Sequence, residues 1–505
     1  MRLPFPERIP LDYAFYFAGI LCVIQLLEGT NGLFSLCCLC FILVSALAFN
    51  FAGGFTRPTG SYVFFFSTLT LIIGLCWKAV LGEPADSNLQ DPILGITVYL
   101  GCICSMYIAV IISRHISAKR AFLRNTVTES NMQTATVGCM VTGALLFFLG
   151  VLFPNSGGNG TVFSALAQIN QFFPLAIILG TIHTIRRSGG TRSVNLPVLI
   201  SILFSCGLGI VGFSKQGIIA PLIGWIFAAA SQRYRVTRTQ IALGIFTTFF
   251  IFYYLVPYSQ YGRNFRVETL SGNLTIAVSL LSDLGTVREE YLRDSEYSEE
   301  TKGHGYFNTS QGFFDRLQAI ALDDSLMVFK RQNGFDGIYP VVYAFENLVP
   351  HFIWKDKPQF HGGQDYAHDV GVLADEDLTT GVSFSPAADA YGRMGFSGVF
   401  LLAPVLWIIL FTLFDSLCGD LRQAPWGILV ALVYSHLAPE GGLGGVIYSY
   451  GYVTFGIVFS AIVGAYVMPV MGTLFIGPEG IILRRGAKVQ SIPNRLRPAS
   501  SKIAR

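Results

Sequence analysis

Charged side chains are scarce in this 505-residue chain. Asp, Glu, Lys and Arg make up 13% of it, about half of the ~25% usual in soluble domains. With 52% hydrophobic and 14% aromatic residues and a mean hydropathy of +0.54, that scarcity excludes a set of soluble globular domains. Cysteine is missing from 258–395, the one long polar stretch, so no disulfide framework holds it. There is no Walker loop, no G-x-G-x-x-G in a βαβ setting, no H-E-x-x-H and no G-x-S-x-G, which removes ATP coupling within the chain. No apolar segment carries the row of carboxylates or histidines that a proton-driven transporter needs. Heptads and internal repeats are absent as well.

What is present is one membrane-length apolar segment after another. A span needs about 20 apolar residues, fewer where its ends snorkel. By that measure we read twelve: 11–27, 32–51, 62–81, 92–112, 137–153, 163–182, 196–213, 217–230, 241–257, 396–414, 426–437 and 446–474. The fold class expected is therefore an all-α polytopic membrane protein of about twelve transmembrane helices. The first segment follows Arg2, Glu7 and Arg8 without a small-residue cleavage site before the next span, and it reads as an anchor. Four units follow: helices in 1–257, a large and mainly helical loop in 258–395, helices in 396–476, and a basic tail in 477–505.

Lysine and arginine in short loops set the orientation. Arg114, Lys119, Arg120 and Arg124 follow the fourth segment, Arg186, Arg187 and Arg192 the sixth, Arg233, Arg235 and Arg238 the eighth, and Arg484, Arg485, Lys488, Arg495 and Arg497 the twelfth. All fall after even-numbered segments, so both termini are expected in the cytoplasm and the long loop outside it. The opposite connections, with Glu28, Glu83, Asp86 and Asp91, are acidic or neutral. Within the loop, helical patches run over 274–293 and 313–331, 339–353 is apolar enough to lie against the membrane or under the rest, and Asn333-Gly334 marks a break.

Several residues invite chemistry. Lys215 sits in the Ser214-Lys215-Gln216 connection between two apolar spans, at the membrane surface where an anionic lipid headgroup would meet it; a snorkelling helix-end lysine is the alternative. Arg263 and Arg266, three apart, share a face if helical, and two guanidinium forks suit a phosphate or pyrophosphate. The alternative is interfacial anchoring beside Tyr258 and Tyr261. His368, among Asp365, Asp369 and several glycines, is a candidate general base; His351 and His361 are weaker ones. His436 near Glu440 reads equally as a packing or hydrogen-bonding residue. Asp375-Glu376-Asp377 has a metal-binding D-x-D spacing but, like Asp323-Asp324, reads as solvated surface, so no metal is assigned. Lys78 beside Trp77 reads as an interface anchor. The ten cysteines, including Cys37, Cys38 and Cys40 and the pair Cys102 and Cys104, lie in apolar surroundings without histidine or carboxylate companions and read as packing residues.

Taken together, the pattern resembles Wzy-type O-antigen or oligosaccharide repeat-unit polymerases and, more distantly, O-antigen ligases. The resemblance rests on Ser214-Lys215 opening a short apolar span and on an outer loop that begins with arginines. It also rests on Pro350-His351-Phe352-Ile353-Trp354-Lys355-Asp356-Lys357-Pro358 and on Ser385-Pro386-Ala387-Ala388-Asp389-Ala390-Tyr391 followed by Gly395 and Gly398. Asp389 stands where the family more often carries Glu. The resemblance implies a helical fold related to the lipid-sugar (GT-C-related) glycosyltransferases and a multi-pass location in the bacterial inner membrane, with the large loop periplasmic. The implied donor and acceptor are oligosaccharide repeat units on undecaprenyl pyrophosphate, joined into O-antigen or exopolysaccharide without metal, nucleotide or other cofactor. The pyrophosphate would be held by Lys215, Arg263, Arg266 and Arg393, and the acceptor hydroxyl deprotonated by His368 or Asp389. The implied partners are the bilayer, a chain-length regulator and a flippase, and no nucleic acid. Ligation of finished polysaccharide is the same-chemistry alternative, and export of the lipid-linked sugar by a flippase is the one from another class.

The orientation is directly testable. Reporter fusions at Arg120, Arg187, Arg235 and Arg495 are expected to report cytoplasm and one at Gly303 the outer compartment; a cytoplasmic signal at Gly303 would remove the site assignment altogether.

Overall fold

A computed structural model of the protein describes residues 1–152, 170–267, 269–302, 305–350, 353–354, 357, 362–373 and 381–476. Among these, the only extended pairing is a single bridge between Arg2 and Arg235; everything else regular is helix. In chain order the helices are α1 (Leu11–Leu27), α2 (Gly32–Ala52), α3 (Pro58–Leu81), α4 (Pro92–Ile116), α5 (Met132–Leu152), α6 (Phe172–Arg187), α7 (Leu196–Val211), α8 (Lys215–Ser231) and α9 (Arg238–Phe265). Then follow α10 (Leu270–Leu281), α11 (Leu284–Lys302), α12 (Ile320–Asn333), α13 (Tyr339–Glu346), α14 (Gly362–Asp369), α15 (Pro386–Met394), α16 (Gly398–Cys418), α17 (Trp426–Glu440) and α18 (Gly442–Ile476).

Seven of them, α2, α3, α4, α5, α9, α16 and α18, are long and apolar enough to cross a membrane, and the chain is a polytopic helical membrane protein. The other five segments expected to span are also helical in their described parts, but shorter: α1 and α8 have 17 residues, α6 and α7 have 16, and α17 has 15. At about 1.5 Å per residue these reach roughly 23–26 Å, under the ~30 Å hydrocarbon thickness.

Helix starts follow local chemistry. Asn31 accepts from the amides of Leu33 and Phe34, Asp91 from Leu94 just before Pro92, Asn195 from Val198, and Thr237 forms a reciprocal capping box with Gln240. Each such cap satisfies amides that the first helical turn leaves unpaired. Close packing then requires small residues: a Cβ on Gly138 would lie 2.0 Å from the Met468 carbonyl, and one on Gly472 1.9 Å from that of Thr134, so α5 and α18 touch through their backbones. The bundle interior is aromatic, with Tyr62, Tyr99, Trp407, Trp426 and Tyr434 fully buried.

The long loop is mostly a cap riveted to the bundle. α12 ends at Asn333 and Gly334 takes φ +106°, the break that Asn333-Gly334 announces. Asp323 and Asp324 are not solvated surface: both are buried. Asp323 accepts from the Tyr99 hydroxyl at 2.5 Å and the Ser385 amide at 3.0 Å, and Asp324 from the Gln90 and Asp91 amides. Lys78 is likewise no interface anchor. It is fully buried, pairs with Glu83 at 3.2 Å, donates to the Ser87 hydroxyl and lies 4.7 Å from the Tyr306 ring centre. The physical reason is the same in both corrections: helix periodicity shows which residues are polar, but the partners that bury them sit on other segments. The patch expected over 274–293 is also two helices, α10 and α11, meeting at 93°.

Burial pushes the Asp323 carboxyl up to about 6, above its ordinary ~3.9. Its contribution to stability is therefore fully present below about pH 4 and is lost as pH rises through about 6. Thermal unfolding in detergent is expected to show that slope flattened in Asp323→Asn. In Asp323→Ala, which strands the Tyr99 hydroxyl and the Ser385 amide, stability at neutral pH is expected to fall by about 1–3 kcal/mol.

Candidate functional site

The centre of interest forms where α7 turns into α8. Ser214 caps α8, its hydroxyl accepting from the Gly217 amide at 3.1 Å, and Lys215 is the first helical residue. The turn is tight because Gly209 and Gly217 are in backbone contact; a Cβ on Gly209 would meet the Gly217 carbonyl carbon at 2.5 Å. Phe213, just before the cap, has φ +50°, a costly conformation for a large side chain. Its surroundings hold it there. The Phe213 carbonyl accepts from the Ser259 hydroxyl at 2.9 Å and Arg263 Nε at 3.2 Å. The Tyr258 hydroxyl donates to Ile210 at 3.1 Å, and a Cβ on Gly262 would lie 2.3 Å from the Phe213 ring. The end of α9 is thus docked onto the α7–α8 hairpin, and that docking carries Arg263 to Lys215.

A third cation comes from the long loop. Phe313 stacks on Phe252 of α9 at 3.9 Å between ring centres, and Phe314 stacks on Trp77 of α3 at 3.6 Å. The 3₁₀ turn Phe314–Arg316 is fixed from beneath by Asp315, which accepts from the Gln311 amide at 2.8 Å. Lys215 consequently feels the positive charges of Arg316 and Arg263 and the negative charge of Glu440, and Arg263 feels Arg316 and Arg266. Among the described residues neither Lys215, Arg263 nor Arg316 makes an ion pair. Glu440, at the end of α17, is paired instead with His436 Nδ1 at 3.0 Å. Arg266 lies in extended backbone after the 3₁₀ turn Arg263–Phe265, so the two arginines do not share an α-helical face; they are neighbours because the chain turns.

Below this cluster runs a cavity of about 320 Å³. Its wall is apolar, with Phe173 and Ile177 of α6, Leu208 of α7, Pro221 of α8 and Leu432 of α17, and among the described residues its hydroxyls are Ser205 and Ser214. Ser214 and Gly217, which line it, flank Lys215. An apolar slot, a helix N-terminus with its partial positive charge and three cations therefore meet at one place.

The remaining expected residues gather elsewhere. Arg393 Nη2 donates to Asp389 Oδ1 at 2.7 Å, and both side chains are about 95% buried. The Tyr366 hydroxyl donates to the same oxygen at 2.9 Å, and Asp389 Oδ2 accepts from the Leu443 amide at 2.7 Å. Lys330 pairs with Asp336 at 2.8 Å and Asp369 at 3.0 Å. With both oxygens engaged, Asp389 ties α14, α15 and α18 together. Arg393 is paired with it and is not among the groups acting on Lys215 or Arg263. His368 sits on α14 beside Asp369, in this second centre; among the described residues neither of its ring nitrogens has a hydrogen-bond partner, and it is not among the groups acting on Lys215 or Arg263. Lys357 donates to the carbonyls of Asn347 and Val349 at 3.0 and 2.8 Å, closing the end of α13. His304, His351, His361, Asp375 and Asp377 lie outside the described residues.

The six residues read from sequence thus divide into Lys215, Arg263 and Arg266 at one centre and His368, Asp389 and Arg393 at another. Arg316 was missed, and Glu440 was read only as the neighbour of His436. The only sequence signal for Arg316 is the Phe313-Phe314 pair preceding it, two aromatics that need ring partners.

If the docking of α9 holds the cations together, Gly262→Ala is expected to drive the Phe213 ring away and weaken binding of inorganic pyrophosphate by the purified protein on the order of tenfold, about 1.4 kcal/mol. Gly244→Ala, where nothing lies within 4 Å of the added carbon, is the silent control; calorimetric titration reads both. Comparison of the chain with family models, with curated proteins and with solved structures gives no match, so the role of this cluster rests on its own chemistry.

Proposed function

We propose that this protein is a membrane glycosyltransferase that polymerises oligosaccharide repeat units carried on undecaprenyl pyrophosphate, at the outer face of a bacterial inner membrane. The observation that carries the reading is the convergence of Lys215, Arg263 and Arg316, free of ion pairs among the described residues, beside the turn whose Ser214 and Gly217 line an apolar cavity. Cations that a fold spends interactions to bring together and does not neutralise await an anion. A cavity with an apolar wall beneath them takes a lipid tail. A lipid pyrophosphate combines the two.

In this reading all twelve apolar helical segments cross the bilayer, the five shorter ones with snorkelling or kinked ends, in an architecture related to other lipid-sugar glycosyltransferases. Both termini are cytoplasmic and the cap of 258–395 is periplasmic. The donor saccharide is already activated by its pyrophosphate linkage, so the residues need only hold and neutralise the departing phosphates, where preorganised charge lowers the barrier most. Neither metal nor nucleotide is required. A flippase and a chain-length regulator would work beside it.

Each hydrogen bond to a charged group is worth about 1.5–3 kcal/mol, so removing one cation is expected to slow turnover roughly ten- to a hundredfold. Lys215→Ala, Arg263→Ala and Arg316→Ala are expected to lose the long-chain ladder of surface polysaccharide on gels while still inserting in the membrane. Arg263→Lys is expected to restore it partly, because an ammonium lacks the bidentate fork. Cells without the protein are expected to show single repeats. Long lipid-linked chains would point to ligation instead, and an intact ladder would remove the polymerase reading.

A further inference from the structure

Of the two bases expected from the sequence, Asp389 is held in its buried ion pair, and His368 is not among the groups acting on Lys215 or Arg263. Leu432, His436 and Glu440 follow one another at four-residue intervals on α17, which places them along one helix face. Leu432 lines the apolar cavity, and Glu440, two turns on, acts electrostatically on Lys215 and Arg316. His436 stands between them, with about half of its side chain exposed and Nδ1 3.0 Å from Glu440 Oε2. One stripe of α17 therefore runs from the lipid cavity to the cation cluster with an imidazole in its middle. The partner on Nδ1 decides the tautomer: a carboxylate there holds the proton on Nδ1 and leaves the lone pair on Nε2. A histidine–glutamate pair on an ordinary helix surface would do no more than stabilise the helix slightly. This one adjoins Lys215 and Arg316, which act on Glu440 electrostatically without pairing with it directly.

We propose that His436 is the base that takes the proton from the acceptor hydroxyl, and that Glu440 is its positioning residue. The proposal rests on the reading that the cluster holds a lipid-linked pyrophosphate. The acceptor oxygen attacks the anomeric carbon of the donor saccharide and forms the new C–O bond while the bond from that carbon to the pyrophosphate oxygen breaks. The electron pair leaves on the pyrophosphate, held by Lys215, Arg263 and Arg316. The hydroxyl proton passes to Nε2 of His436 and from there to water. The exposure of His436 suits this step, since the acceptor sugar arrives from the aqueous side.

The test uses the full-length protein and two readouts. Undecaprenyl pyrophosphate without sugar probes binding to purified protein, and membrane vesicles carrying their own lipid-linked repeats report polymer formation. His436→Gln and His436→Ala are expected to bind the lipid within about twofold of wild type while polymer formation falls at least a hundredfold, a loss of about 2.7 kcal/mol in transition-state stabilisation. Added imidazole is expected to restore part of the activity of His436→Ala, a rescue that no packing role would give. Glu440→Gln is expected to lower turnover at least tenfold with binding retained, and Glu440→Asp to recover part of it. Wild-type polymer formation by either His436 variant, or loss of lipid binding in both, would overturn the assignment of a base. Failure of the wild-type protein to bind undecaprenyl pyrophosphate would overturn the pyrophosphate reading, and the base with it.

Discussion

Holding like charges together at a membrane surface is the constraint on which this structure turns. Lys215, Arg263 and Arg316 repel one another, and nothing in their own segments would bring them close. The cost is met by neutral contacts: the Phe213 carbonyl accepting two hydrogen bonds, the Phe213 ring packed on Gly262, and the two aromatic stacks on Phe252 and Trp77. Apolar packing does not depend on the charge state, so it can keep cations in place until an anion arrives. Phe213 in its left-handed conformation marks where this arrangement is paid for in backbone strain.

The second polar centre works by the opposite rule. Asp389, Arg393, Asp336, Lys330 and Asp369 alternate in sign and are linked by ion pairs of 2.7 to 3.8 Å, with Tyr366 bridging Asp336 and Asp389. Buried charges persist when each is matched and hydrogen-bonded, and removing one partner then costs far more than the pair contributes. Such a network fixes geometry. The cap is seated by buried charges of another kind, Asp323 and Asp324 accepting from neutral donors and Lys78 lying over the Tyr306 ring. These charges explain why a loop of domain size lies in register on the bundle, so that Arg316 reaches the hairpin at Ser214.

The helices themselves were legible. Apolar runs are local signals, and the described helices α1 to α9 and α16 to α18 fall on the segments that those runs mark. Lys215, Arg263 and Arg266 were also legible as a group, because each stands immediately beside an apolar run where a free cation is out of place. The remaining site residues were not. Asp389 and Arg393 carry the same side chains as a catalytic acid and an anion ligand, and only their distances to Tyr366, Leu443 and each other show that they form a buried ion pair apart from Lys215 and Arg263.

By itself the sequence determined an all-helical membrane protein with a polar cap and basic groups at the ends of its apolar segments, since hydrophobicity and helix capping act over a few residues. Tertiary structure decided which charges are neutralised and which are left open. It joined Arg316 to Lys215 and Arg263, set His436 on the helix stripe between the cavity and the cations, and buried Asp323, Asp324 and Lys78. The reason is that an ion pair is a statement about distance, and those distances are fixed by packing between segments far apart in the chain.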